Sequence, residues 1–309
     1  MSQEQEPYES QRFGTIRIAL MAASISLTAL AVTTHQGEAK SPESVQEQPV
    51  LPTAGGEQEV PAGIKPFAEF REQIAMPDNI LHALNEATVK VSTESGGCTG
   101  TIVNNYLLTA AHCRPDLEND DYYISLSRWQ DNFDETAGTL QNWSYDDDRD
   151  ILMGRLDSLD ESVDTWWIGS FKNEDPLPGT QFVMASLPGE SETPIAVTLT
   201  FLGRNPDAQA KSGLWVFAVN PENTPELATK ACMPGASGSL LTDWRGGVAV
   251  LSTSDGATTH KGKPNEHWID TRNYYQNTLK VDLQTVSYIC LGSPFTRDTI
   301  NTYIASVEK

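Results

Sequence analysis

The chain has 309 residues, which suits one or two domains, and 39% of them are apolar, enough for a core. Against 21 basic residues stand 42 acidic ones, a formal net charge of −21. That balance argues against nucleic acid and anionic membrane surfaces as partners, and favours solubility.

Residues 18–34 form an uncharged, mostly apolar run after Arg12 and Arg17. It is marginal for a spanning helix. Ala29-Leu30-Ala31 offers a small-x-small cleavage pattern, so the run reads as an export signal. An uncleaved signal anchor is the runner-up, because the leader is long and carries Glu4, Glu6 and Glu9. Residues 35–66 are rich in Glu, Gln, Ser, Pro and Gly and cannot bury a core. They read as a disordered linker or propeptide.

Residues 67–84 have scattered apolar positions and room for a short helix. At 87–93 the pattern changes to period-two alternation, as in a half-buried strand. Residues 100–103 and 106–109 flank Asn104-Asn105, a hairpin turn. Further strands are expected at 122–126, 151–156, 181–185, 195–202, 214–219 and 248–252. Turn pairs such as Pro178-Gly179, Pro188-Gly189 and Gly246-Gly247 separate them. This spacing predicts an all-β sandwich or barrel. The one clear helix is last, over 296–307, where Ile300, Tyr303, Ile304 and Val307 share a face.

Four cysteines lie beyond residue 97: Cys98, Cys113, Cys232 and Cys290. An even count in an exported chain suggests two disulfides, with three possible pairings. A Cys98–Cys113 bridge closes a short loop and is worth about 3 kcal/mol on the chain-entropy account. No C-x-x-C spacing occurs, so no metal site is expected. No cofactor is expected either.

The stretch that organises the chain is Gly235-Ala236-Ser237-Gly238, just ahead of apolar Leu240-Leu241. Gly235 is free to take positive φ. Such a turn can present Ser237 Oγ beside the backbone N–H groups of Gly235 and Ser237. A nucleophile and an oxyanion hole need that pairing. Alone, such a string is more often a plain loop. A base and an acid are therefore required. Of five histidines, only His112 follows a β-rich apolar run, in Thr109-Ala110-Ala111-His112-Cys113. His35, His82, His260 and His267 stand in linker, loop-like or weakly patterned stretches. Asp150 immediately precedes an apolar strand, and a carboxylate entering a core there needs a donor. Asp146, Asp147 and Asp148 read as solvated loop acids, without regular calcium-ligand spacing.

His112, Asp150 and Ser237, in that order, resemble a chymotrypsin/trypsin-like serine protease. Thr-Ala-Ala-His-Cys around His112 is the most specific motif. Gly96-Gly97-Cys98-Thr99-Gly100, Asp150-Ile151-Leu152-Met153, Gly235-Ala236-Ser237-Gly238 and Phe295-Thr296-Arg297 resemble further family segments. The likeness covers about residues 85–309. It implies two antiparallel six-stranded β-barrels, at 85–165 and 166–295, and a closing helix at 296–307. It also implies an endopeptidase acting on protein or peptide, with His112, Asp150 and Ser237 as triad; the export signal adds a secreted or periplasmic site, and a monomer is expected. Gly235 and Ser237 would supply the oxyanion hole. Ala231, Cys232, Ser252, Thr253 and Ser254 would line the substrate cleft, and Ser252 would hydrogen-bond near Asp150. Cys232–Cys290 would be the second disulfide. A binding-only homologue and a membrane-tethered envelope protease are the alternatives.

Four departures stand out. Ala236 replaces the aspartate that pairs with a newly cut N-terminus in digestive members, and the chain lacks their Ile-Val-Gly-Gly start. An oxyanion hole built without N-terminal insertion is therefore expected. No acid stands six residues before Ser237, which disfavours cleavage after Lys or Arg; Lys230 near the pocket would favour acidic side chains instead. Residues 255–289 are longer than usual and read as an inserted surface loop.

Overall fold

A computed structural model describes residues 63–72, 76–93, 96–114, 123–125, 136–156, 171–189, 191, 193–206, 213–231, 233–256 and 264–308. The expected export signal, most of the linker and Cys232 lie outside these residues. Among the described residues no helix is long and apolar enough to cross a membrane.

The chain is mostly β. A short strand β1 (Lys65–Pro66) and one helical turn α1 (Phe67–Phe70) precede α2 (Asp78–Glu86). Then come β2 (Thr88–Thr93), β3 (Gly96–Val103), β4 (Tyr106–Thr109), β5 (Tyr123–Ser125), β6 (Thr136–Asp146) and β7 (Ile151–Leu156). These six strands form one antiparallel sheet of order β2-β3-β4-β7-β6-β5. Its edge strands β2 and β5 approach each other, but no ladder joins them among the described residues. This six-stranded sheet stands where the first of the two expected six-stranded barrels was placed.

The second unit is a closed barrel. Its strands are β8 (Gln181–Ser186), β9 (Ile195–Arg204), β10 (Trp215–Val219), β11 (Leu240–Thr242), β12 (Val248–Gly256) and β14 (Tyr288–Pro294). They close in the order β10-β14-β12-β11-β8-β9. Phe182, Phe201, Trp215 and Phe217 fill the interior in edge-to-face and tilted pairs. Such pairs add to the area they bury.

Strand β10 is buried on both faces. Trp215, Phe217 and Val219 point into the barrel, while Leu214, Val216 and Ala218 join an outer cluster. The helix that follows it is α3 (Pro225–Ala231). Two unexpected pieces cover the outer face. The region read as an inserted loop carries a 14-residue helix, α4 (Glu266–Leu279), capped by Asn265, which accepts from Trp268 N–H. Its Trp268 and Tyr275 pack on β10 and β14 together with Phe67 from α1. Beyond α4, β13 (Val281–Asp282) pairs in parallel with β1. Glu72 then forks onto Arg245 at 2.9 and 2.7 Å, so residues 63–72 strap the barrel. The last helix, α5 (Arg297–Val307), is capped by Thr296 and buries Ile300, Tyr303 and Val307.

Candidate active site

His112 sits in a single 3₁₀ turn, Ala111–Cys113, at the end of β4. Ala110, Ala111 and Cys113 are buried, so the turn is fixed while the His112 ring remains half exposed. Cys113 is bonded to Cys98 of β3, which pins the turn from the other side. Of the three pairings open in the sequence, this is the one that the family resemblance implies. Of the other cysteines, Cys290 is buried in β14.

Asp150 ends the turn between β6 and β7 with φ of +56°. Aspartate tolerates this left-handed conformation better than most residues, and such backbone is common at working sites. Ser293 of β14 donates its hydroxyl to the Arg149 carbonyl, tying the turn to the second barrel. Asp150 is 1% exposed. His112 Nδ1 lies 3.0 and 2.9 Å from its two carboxylate oxygens, and the His112 backbone N–H donates to Oδ1 at 3.0 Å. Ser252 Oγ donates to Oδ2 at 2.5 Å. Burial pushes the carboxyl up. The hydrogen bonds from the His112 ring, Ser252 and the His112 N–H more than offset it, and hold the group well below the usual carboxylate range. An ionised acid facing Nδ1 sets the tautomer, with Nδ1 protonated and Nε2 free to take a proton.

Ser237 lies in the loop between α3 and β11. The carbonyls of residues 233–237 are all spoken for. Met233 O accepts from Ala236 N–H at 3.1 Å and Pro234 O from Gly189 N–H at 3.0 Å. Gly235 O accepts from Thr99 Oγ1 at 2.7 Å, Ala236 O from Ser239 Oγ at 2.5 Å, and Ser237 O from Thr99 N–H at 2.9 Å. By contrast, neither Gly235 N–H nor Ser237 N–H has an acceptor among the described residues. Gly235 has φ of +95°, and a Cβ there would stand 2.6 Å from Gly189 N. Gly238, at φ of +87°, leaves no space for a Cβ beside Thr99 O and Thr109 Oγ1. The loop therefore holds a half-buried serine next to two available donors. Ser237 Oγ and the His112 ring are not hydrogen-bonded to each other among the described residues. Such bonds often tighten only when substrate binds.

The other expected cleft residues divide. Thr253 is exposed and Ser254 half-buried on β12, where Ser254 faces Cys290 across the ladder. Ala231 is fully buried in the barrel cluster with Ala236, so it faces core rather than cleft. Lys230 pairs with Glu226 along α3 at 2.7 Å and is thereby occupied.

Residues 82–188 match the trypsin family model. The chain is trypsin-like in fold. Several solved structures are similar to the chain at low identity. The active form of the Rv3671c protease from M. tuberculosis is 13% identical, with 74% of this chain and 83% of that one covered and a TM-score of 0.44. A Glu endopeptidase is 13% identical over 73% and 92% of the two chains, with a TM-score of 0.45. Human heparin binding protein is 13% identical over 72% and 93%, with a TM-score of 0.43. No curated protein sequence matches the chain. Within the trypsin-like fold, His112 and Asp150 come from the first sheet, and Ser237 from the second barrel.

Proposed function

We propose that this chain is a serine endopeptidase working through His112, Asp150 and Ser237. The observation that carries the reading is the His112–Asp150–Ser252 network, with a carboxylate that is buried, ionised and aimed at Nδ1. Ser237 Oγ attacks the scissile carbonyl, and His112 Nε2 takes its proton. The tetrahedral oxyanion is received by Gly235 N–H and Ser237 N–H. Collapse expels the amine, which takes the proton from His112, and leaves Ser237 acylated. Water, activated by the same nitrogen, then releases the acid. Thr253 and Ser254 line the cleft on the β12 side.

Export to a secreted or periplasmic site fits this reading, because the Cys98–Cys113 bridge suits an oxidising compartment. The test is labelling with an organophosphonate serine probe. Wild-type protein is expected to label on Ser237, and Ser237→Ala to lose the label and about 10⁶-fold in turnover. Disulfide-intact wild-type protein that resists the probe would point instead to a binding-only homologue.

A further inference from the structure

In digestive members of the resembled family, the residue before the nucleophile is an aspartate that pairs with a freshly cut N-terminus. Here that residue is Ala236, 1% exposed and packed among Ala228, Ala231 and Leu241. No cation can serve it. Something else must hold the peptide planes of residues 234–237 so that two N–H groups stay turned toward the cleft.

We propose that Thr99 is the positioning residue that does this. The inference rests on the serine-hydrolase reading of Ser237. Thr99 follows Cys98 in β3 and is fully buried. Its hydroxyl donates to Gly235 O at 2.7 Å and accepts from Leu187 N–H at 3.0 Å. Its own N–H donates to Ser237 O at 2.9 Å. Its carbonyl accepts from Thr109 Oγ1 at 2.7 Å, which fixes the residue to β4. One residue of the first sheet thus grips the loop at two carbonyls on either side of Ala236.

The peptide between Gly235 and Ala236 lies between the two N–H groups offered to the oxyanion. Fixing its carbonyl fixes the rotation of both neighbours. Gly189 N–H, on Pro234 O, completes the set from β8's end. A loop held through its carbonyls presents its N–H groups on the opposite side. No cleavage, ion pair or new terminus is needed. The Thr99 side chain is required for this as a hydroxyl, because only a group that both donates and accepts can bridge Gly235 O and Leu187 N–H.

The experiment compares wild type, Thr99→Val and Thr99→Ser in the full oxidised chain. The readouts are organophosphonate labelling rate, kcat and KM on a cleaved peptide, affinity for a peptide boronate that mimics the tetrahedral state, and the thermal midpoint. Thr99→Val is expected to lose about 10²-fold in kcat, the range seen when one oxyanion donor is removed. Boronate affinity should fall in parallel, while KM changes little. Thr99→Ser keeps the hydroxyl and should stay within a few-fold of wild type. Thr99→Ala carries the same expectation as valine and cannot overpack, which covers a valine variant that fails to fold. Unchanged kcat in the hydroxyl-less variants overturns the inference, as does a loss confined to KM or a serine variant as impaired as valine. Wild-type protein that resists the probe overturns the hydrolase reading and this inference with it. A labelled wild type with unaffected Thr99 variants overturns the inference alone.

Discussion

Asp150 carries more contacts than its size suggests. It accepts from the His112 ring, the His112 N–H and Ser252, all while nearly sealed from water. Its folded carboxyl lies below the unfolded value of about 3.9. The stabilisation it brings is therefore complete above about pH 5 and is lost as pH falls through the folded value. Asp150→Asn should remove this limb: urea midpoints measured from about pH 6 down to pH 2 should fall less steeply in the variant than in wild type. The same change should lower turnover about 10⁴-fold, because an amide no longer enforces the right tautomer. A variant with the wild-type acid limb would mean that Asp150 is not the group responsible.

At the scale of elements, the strands near the site were readable because short motifs and period-two alternation mark them. Strand β7 was expected at 151–156 and spans Ile151–Leu156. Strand β14 was missed, because Ile289, Cys290 and Leu291 are buried on both faces and Gly292 and Ser293 follow. Such a stretch has no alternation to detect. Helix α4 was missed for another reason. Its buried face is Trp268, Thr271 and Tyr275, with no aliphatic stripe. Ser252 was placed by resemblance and does meet the carboxylate. Thr99 was not singled out, since its partner Gly235 lies 136 residues away and no local pattern joins them. Helix α4 earns its place by packing. Trp268→Ala should cost about 3–5 kcal/mol, seen as a lower denaturant midpoint. Probe labelling of the folded fraction should persist, because α4 covers the outer face of β10 and β14 rather than the Ser237 loop.

For the whole molecule, the proposed base and the proposed loop clamp come from one place. Cys98 precedes Thr99 and Cys113 follows His112, and the bridge between them brings Cys113 Sγ within 3.8 Å of Ser237 O. Reduction, or replacement of both cysteines by serine, should lower the unfolding midpoint by the equivalent of about 3 kcal/mol. It should also slow probe labelling by more than it slows binding of a ground-state peptide. Labelling that is indifferent to thiols would separate the bridge from the site. The consequence reaches past stability. A chain kept in reducing conditions would carry all three residues of the proposed triad and yet lack the staple beside His112 and Ser237. On the proposed hydrolase reading, competence would then arrive only with oxidation, and the bridge would act as a clock that sets when the serine can react.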